Sequence, residues 1–253
     1  MILDMFKLDG KVAVVTGANT GLGQGMAVAL AQAGARVAGV ARRECDETRA
    51  LIEKDGGQFV EIRADLSDMQ SVQKVLDEAL KAYGRVDILV NNAGLIKRQD
   101  AIEFSEENWD SVIQVNQKMV FFLSQAFAKQ FIKQQSGGKI INVCSMLSYQ
   151  GGIRVPSYAA SKSAVMGLTK AMANEWAQYN ININGIAPGY MATNNTAQLR
   201  ADGDRSEAII DRIPAGRWGT PDDMQGAVVY LASAASDYVN GFVLAVDGGW
   251  LAR

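Results

Sequence analysis

The sequence predicts an α/β fold, doubly wound, with a seven-stranded parallel sheet covered by helices on both faces. Three observations predict it. Short apolar runs alternate with amphipathic runs along the whole chain, the pattern of parallel strands buried between crossover helices. A glycine-rich turn follows the first apolar run and opens the first amphipathic one. No linker rich in proline or serine and no internal repeat interrupts the alternation. The 253 residues therefore read as a single domain, 1–253, around one large core.

Residues 11–16 (KVAVVT) are the first strand, and 23–33 a helix that Gly34 ends. Residues 35–40 (ARVAGV) are the second strand, 45–54 a helical stretch, and 58–63 the third strand. Over 67–82, Val72, Val75, Leu76 and Ala79 recur at helical spacing and share one face. Residues 87–91 (DILVN) are the fourth strand, 105–134 one long or two helical segments, and 139–143 (KIINV) the fifth strand. A helix at 157–179, a sixth strand at 181–186, a helix near 221–233 and a last strand at 242–246 complete the set. The polar stretch 190–217 is the loose segment. A long excursion on such a scaffold is expected to be a substrate lid.

Composition narrows the chemistry. Net charge is −2, with no basic stripe for nucleic acid. No run of 18 apolar residues exists, so no membrane span is expected. The N-terminus lacks the apolar stretch of a secretory signal, and the expected location is the cytoplasm. Two cysteines, Cys45 and Cys144, make no disulfide framework. There is no histidine. That removes the commonest metal ligand and the usual general base, and no metal site is expected. Acid–base work falls to a carboxylate, lysine, tyrosine or thiol with a shifted pKa.

The turn Thr16–Gly23 (TGANTGLG) carries Gly17, Asn19, Thr20, Gly21, Leu22 and Gly23. Glycines let backbone approach a pyrophosphate, and a helix N-terminus offers unpaired N–H groups with partial positive charge. This is the start of a Rossmann-type site for a dinucleotide. Asp65, with Leu66 beside it, follows the third strand and is placed to meet the adenine amino group. Its other reading is a helix N-cap. Asn92, Ala93 and Gly94 end the fourth strand, at the carboxyl edge where open parallel sheets bind ligands. The second strand ends at Ala41 and runs into Arg42. An acidic residue there would hold the ribose hydroxyls of NAD; arginine suits the 2′-phosphate of NADP.

Tyr158 and Lys162 are four residues apart at the start of a helix, so they share a face. A cation about 4 Å from a phenolate contributes about 4 kcal/mol at an effective dielectric of 20, which is roughly three pKa units. The phenol is thereby expected near 7. Ser145 follows the fifth strand at the ligand edge, where its hydroxyl can orient a carbonyl. Asn116 lies in the helix after the fourth strand, where it can anchor a proton-relaying water.

TGANTGLG, NNAG, the Asn116–Ser145–Tyr158–Lys162 set, and Pro188-Gly189 with Thr193 stand in the order of the short-chain dehydrogenase/reductase family, which the chain resembles over nearly its full length. The resemblance implies that Tyr158 is the acid in ketone reduction and the base in alcohol oxidation. It implies that Lys162 lowers the Tyr158 pKa and binds the nicotinamide ribose. Ser145 would position the reacting oxygen and Asn116 the relay water. Thr193, with Pro188, Gly189 and Met191, would hold the carboxamide. Further segments, among them SMLSYQGGIRVPSYAASK and APGYMATNNTAQLRAD, resemble family members that act on keto-sugar acids of uronate breakdown. Such a substrate needs a cation for its carboxylate and polar groups near Tyr158. Arg154 is the expected anchor and Arg98 the second choice, with Ser148, Gln150 and Asn194 as further substrate residues. That branch mostly favours NAD, which places NAD slightly ahead of NADP. The family usually forms homotetramers; Trp250 is a candidate subunit contact or an ordinary core residue. The alternatives are a reductase of another polar ketone (sugar, polyol or 3-oxoacyl thioester) and a non-catalytic module that senses NAD(P).

Overall fold

Strands of valine, isoleucine and alanine pack on both faces, which is why they read as unbroken apolar runs. The computed structural model describes residues 1–253. Its strands are β1 (Val12–Thr16), β2 (Arg36–Ala41), β3 (Phe59–Arg63), β4 (Ile88–Asn91), β5 (Gly138–Val143), β6 (Ile181–Pro188) and β7 (Val243–Val246). They form one sheet in the order β3-β2-β1-β4-β5-β6-β7, with every pairing parallel. The chain reverses its direction of winding between β1 and β4. That switch point opens a crevice beyond the strands' carboxyl ends.

Side chains alternate between faces, and β1 shows it. Ala13 and Val15 join one apolar cluster, with α1 (Gly21–Gln32), α2 (Asp46–Lys54) and α9 (Gln225–Ala232). Val12 and Val14 join the other, with α3 (Ser71–Tyr83), α5 (Met119–Gln134) and α6 (Pro156–Trp176). The core is thus two layers, one on each face of the sheet.

Three elements differ from expectation. Helix α3 begins at Ser71 rather than 67. Asp65 and Asp68 each take a backbone N–H two residues on, from Ser67 and Gln70, both at 2.9 Å. Such Asx turns fold the chain tightly and delay the helix. The segment 105–134 is α4 (Glu106–Ile113), a π-helical turn (Gln114–Lys118) and α5 in continuous succession. The loose segment carries two short helices, α7 (Ala197–Ala201) and α8 (Gly203–Arg212). Asp202 caps α8 by accepting the Arg205 N–H at 3.2 Å. Ile209 and, just beyond the helix, Ile213 pack against Met146 and Trp250.

Candidate active site

The glycine turn is locked to the end of β4. Thr16 Oγ1 accepts the N–H groups of Asn92 and Ala93 at 2.9 and 3.0 Å. Asn92 Nδ2 donates back to the Thr16 carbonyl at 2.8 Å. Two glycines are required by this closeness. Gly17 sits at φ +67, and a Cβ on it would lie 2.8 Å from Asn92 Nδ2. A Cβ on Gly23 would lie 2.1 Å from the Gly17 carbonyl oxygen. Thr20, at the N-cap of α1, makes no capping bond. The first N–H groups of α1 are left for another acceptor. Beyond Gly21, the Thr193 methyl lies 3.6 Å from where a Cβ would stand, so the root of the 190–217 segment meets this turn.

A polar cavity of about 620 Å³ opens at the ends of β2 and β3. Arg42, Arg63, Asp65, Asp68 and Lys74 line it. Hydrogen bonds from the Ser67 backbone N–H and hydroxyl hold the Asp65 carboxyl below its usual value, and the Arg42 charge adds to that. Sequence reasoning missed Arg63. The signal was available: parallel register sets Ala41 opposite Arg63, which puts Arg63 next to Arg42 at the sheet edge. An uncapped helix start, a cradle that side chains would fill and a polar cavity lined by both Arg42 and Asp65 together fit a dinucleotide.

The catalytic candidates converge at the ends of β4 and β5. Asn116 sits in the π-helical turn, a device that appears mostly at functional sites. Its Nδ2 donates to the Leu95 carbonyl at 2.9 Å and the Ser161 hydroxyl at 3.2 Å. Its Oδ1 accepts the Leu95 N–H at 2.9 Å. Around Gly94, a Cβ would stand 3.1 Å from Asn116 Oδ1 and 3.8 Å from Lys162 Nζ. Lys162 is 4% exposed; its Nζ donates to the Val143 carbonyl at 2.6 Å and lies 5.7 Å from the Tyr158 ring centroid. The Ser145 hydroxyl lowers the Tyr158 pKa, and its Oγ accepts the Leu147 N–H at 3.1 Å.

The electrostatics correct the sequence-based expectation for Tyr158. Burial holds its phenol above the ordinary value near 10, although the Ser145 hydroxyl and the Arg98 charge pull the other way. Burial also pulls Lys162 down to about 8. Both groups therefore lean toward their neutral forms. The Lys162 ammonium is spent on a backbone carbonyl, and desolvation outweighs the simple pairwise attraction.

Several candidates are committed elsewhere. The Asn92 amide holds the glycine turn and is not presented to a ligand. The Leu66 and Met191 side chains are buried, which leaves only their backbone to serve a cofactor. Ser148 Oγ donates to the Lys162 carbonyl at 2.7 Å and accepts the Ser145 N–H at 3.3 Å; it braces the site rather than facing a substrate. Asn194 is exposed. Arg154, at φ +63, pairs with Asp100 at 2.9 Å. Arg98 forms no ion pair; its guanidinium donates to the Asn195 carbonyl at 3.4 Å. Trp250 packs inside its own chain against Met146, Ile209 and Ile213.

Residues 11–204 match the family model described as short chain dehydrogenase. A protein of Dickeya dadantii (strain 3937) named 2-dehydro-3-deoxy-D-gluconate 5-dehydrogenase is 64% identical over 100% of both chains. One of the same name from Escherichia coli (strain K12) is 63% identical, again over 100% of both. A solved structure from Agrobacterium tumefaciens, assigned provisionally as a 2-deoxy-D-gluconate 3-dehydrogenase and holding NADP, is 56% identical. It superposes with a TM-score of 0.93 over 98% of this chain and 99% of that one.

Proposed function

The chain belongs to the short-chain dehydrogenase family, and on that premise we propose that it interconverts 2-dehydro-3-deoxy-D-gluconate and 3-deoxy-D-glycero-2,5-hexodiulosonate at carbon 5. It is an oxidoreductase acting on a CH–OH group with NAD(P). The observation that carries the reading is the Asn116, Ser145, Tyr158 and Lys162 cluster at the carboxyl ends of β4 and β5, in a chain whose full-length relatives bear that name.

The bound nicotinamide ring supplies or accepts the hydride. Backbone N–H groups of Asn19–Gly23 are suited to the pyrophosphate. Arg42 and Asp65 face the adenosine end, and the backbone of Pro188–Met191 with Thr193 the carboxamide. In the ketone-reducing direction, Tyr158 gives its proton to the oxygen at carbon 5. A phenol held above its ordinary value is neutral near pH 7 and keeps that proton until the oxygen needs it. Ser145 orients that oxygen. Lys162 refills Tyr158 through a water held near Asn116. The substrate's carboxylate falls to Arg98, because Arg154 is engaged by Asp100 and Arg98 has no carboxylate partner.

Arg42, which lines the cavity and forms no ion pair, supports acceptance of a 2′-phosphate beside NAD; Arg63 there is paired with Glu61 at 3.2 Å. Residues 190–217 act as the lid, since α8 stands on the substrate-side cluster. A homotetramer is proposed, supported by an apolar groove between α5 and α6. A cytoplasmic place is proposed as well; no helix is long and apolar enough to cross a membrane.

Steady-state kinetics on 2-dehydro-3-deoxy-D-gluconate, with NAD and NADP side by side, test the reading. Turnover is expected with both cofactors. Tyr158→Phe is expected to cut kcat by about 10²–10⁴-fold while the NADH dissociation constant stays within about twofold. Turnover at the wild-type rate by that variant sinks the mechanism, and no turnover by the wild type sinks the substrate.

A further inference from the structure

The last turn of the chain folds against the loop that follows Ser145. Asp247 accepts the Gly249 and Leu251 N–H groups, both at 2.9 Å, and so folds Trp250–Ala252 into a 3-10 turn. That turn buries Trp250 to 4% exposure. Three groups meet its indole. Tyr190, at the root of the lid, packs edge-on with ring centroids 4.8 Å apart. The Arg212 guanidinium, from α8, covers the ring at 4.0 Å. Trp250 Nε1 donates to Gln150 Oε1 at 3.2 Å, and Gln150 lies five residues after Ser145.

That last bond is chemically one-sided. An indole N–H only donates, so it takes the amide oxygen and never the amide nitrogen. The orientation of the Gln150 amide, ordinarily ambiguous between its two ends, is set by its partner. With Oε1 engaged, what Gln150 has left to offer is Nε2 with its two N–H donors. That nitrogen has no hydrogen-bond acceptor within the protein, and the residue is only half-buried. The loop that carries it is fixed at its start, where the Tyr149 and Gln150 N–H groups donate to the Met146 carbonyl at 3.0 and 3.2 Å.

We propose that Trp250 is a positioning residue: it fixes Gln150 as a pure hydrogen-bond donor toward an oxygen of the sugar-acid substrate and, through Tyr190 and Arg212, ties that donor to the lid. The proposal rests on the reading of the chain as an oxidoreductase of keto-sugar acids. It also explains why the C-terminal turn is folded against residues 146–150. A donor there matches the oxygen-rich flank of a sugar acid and rejects an apolar ketone, which would leave Nε2 unpaired.

A double-mutant cycle on 2-dehydro-3-deoxy-D-gluconate tests this. Trp250→Phe keeps a ring for Tyr190 and Arg212 and deletes the N–H. Gln150→Ala deletes the amide. The expected result is a rise in KM of about tenfold for Gln150→Ala and about threefold for Trp250→Phe, with kcat and the NADH dissociation constant within about twofold. In the double variant, Trp250→Phe is expected to add nothing to Gln150→Ala. Effects that multiply independently overturn the proposal, as does a Trp250→Phe change confined to Tm. Gln150→Glu leaves the Trp250 ring untouched and still accepts its N–H, but replaces the donor with a negative charge. It carries the test should Trp250→Phe not fold, and a wild-type KM for it overturns the proposal. Wild-type turnover with independent effects removes this inference alone; absence of wild-type turnover removes the functional reading beneath it.

Discussion

Tyr158 and Lys162 lie four apart on one helix face, and pairwise attraction alone puts the phenol near neutrality. The fold adds burial, which raises Tyr158 and lowers Lys162 to about 8. Burial depends on what β5, the 146–150 loop and the lid bring together, and no local spacing encodes that. The shift of Lys162 has a sign that experiment can read. Its folded pKa lies below the ordinary 10.5, so the buried charge destabilises the fold at every pH below about 8. That cost is relieved as pH rises from about 8 to about 10.5. Lys162→Met carries no such charge. The excess stability of Lys162→Met over wild type, read from urea melts at about pH 7 and about pH 10, is therefore expected to shrink at the higher pH. A gap that widens contradicts the buried charge. The choice between Arg98 and Arg154 is likewise a matter of partners. Both stand near the site in sequence, and only the fold shows Arg154 held by Asp100. Arg98→Ala is expected to raise KM for the keto-acid about tenfold or more and to leave that for a neutral polyol nearly unchanged, as loss of a charged hydrogen bond does. Arg154→Ala is expected to move both little. The reverse ranking restores Arg154 as the anchor.

Elements follow the same division. Strands and long helices are legible because short unbroken apolar runs and an apolar period of 3.6 survive any tertiary context. The π-helical turn at Gln114–Lys118 is not. It leaves the helical pattern on either side intact and shows only as an unresolved choice between one helix and two over 105–134. Its effect is to turn Asn116 inward onto Leu95 and Ser161. Helix α8 was hidden because Ile209, Ile210 and the Asp202 cap are its only signals in a polar stretch. The cap gives a test of the lid. Asp202→Ala removes the bond to the Arg205 N–H, a loss of about 1 kcal/mol for an N-cap. Amide exchange across 203–212 is expected to quicken several-fold and KM to rise, while exchange in β1 and β4 stays as in wild type. Uniform quickening across the sheet would make the 190–217 segment part of the main cooperative unit rather than a lid.

At the scale of the whole molecule, the strand order does what the sequence could only suggest. It carries Gly17, Asn116, Ser145 and Lys162, spread over 146 positions, to one crevice on either side of the β1–β4 switch point. It also leaves α5 and α6 side by side with an apolar groove of about 400 Å³ between them, lined by Phe121, Ile132, Leu168 and Trp176. Ile132 on that face is 41% exposed. Gly167, in the middle of α6, has no steric reason within this chain, because a Cβ there would meet nothing. A glycine in a helix interior costs about 1 kcal/mol relative to alanine, and close approach of a second helix would offset it. A stable interface buries about 1,200–2,000 Å², and the proposed tetramer asks α5 and α6, packed on their own copies, to supply it. The proposed tetramer then has a definite signature. Wild-type protein is expected to sediment at four times the chain mass of 27.2 kDa, and Ile132→Glu at a smaller multiple. Ile132 is exposed on the single chain, so the charge has water to face and the fold survives as judged by circular dichroism. A wild-type monomer at micromolar concentration refutes the tetramer. An Ile132→Glu protein that remains tetrameric moves the subunit contact off this groove and onto another face.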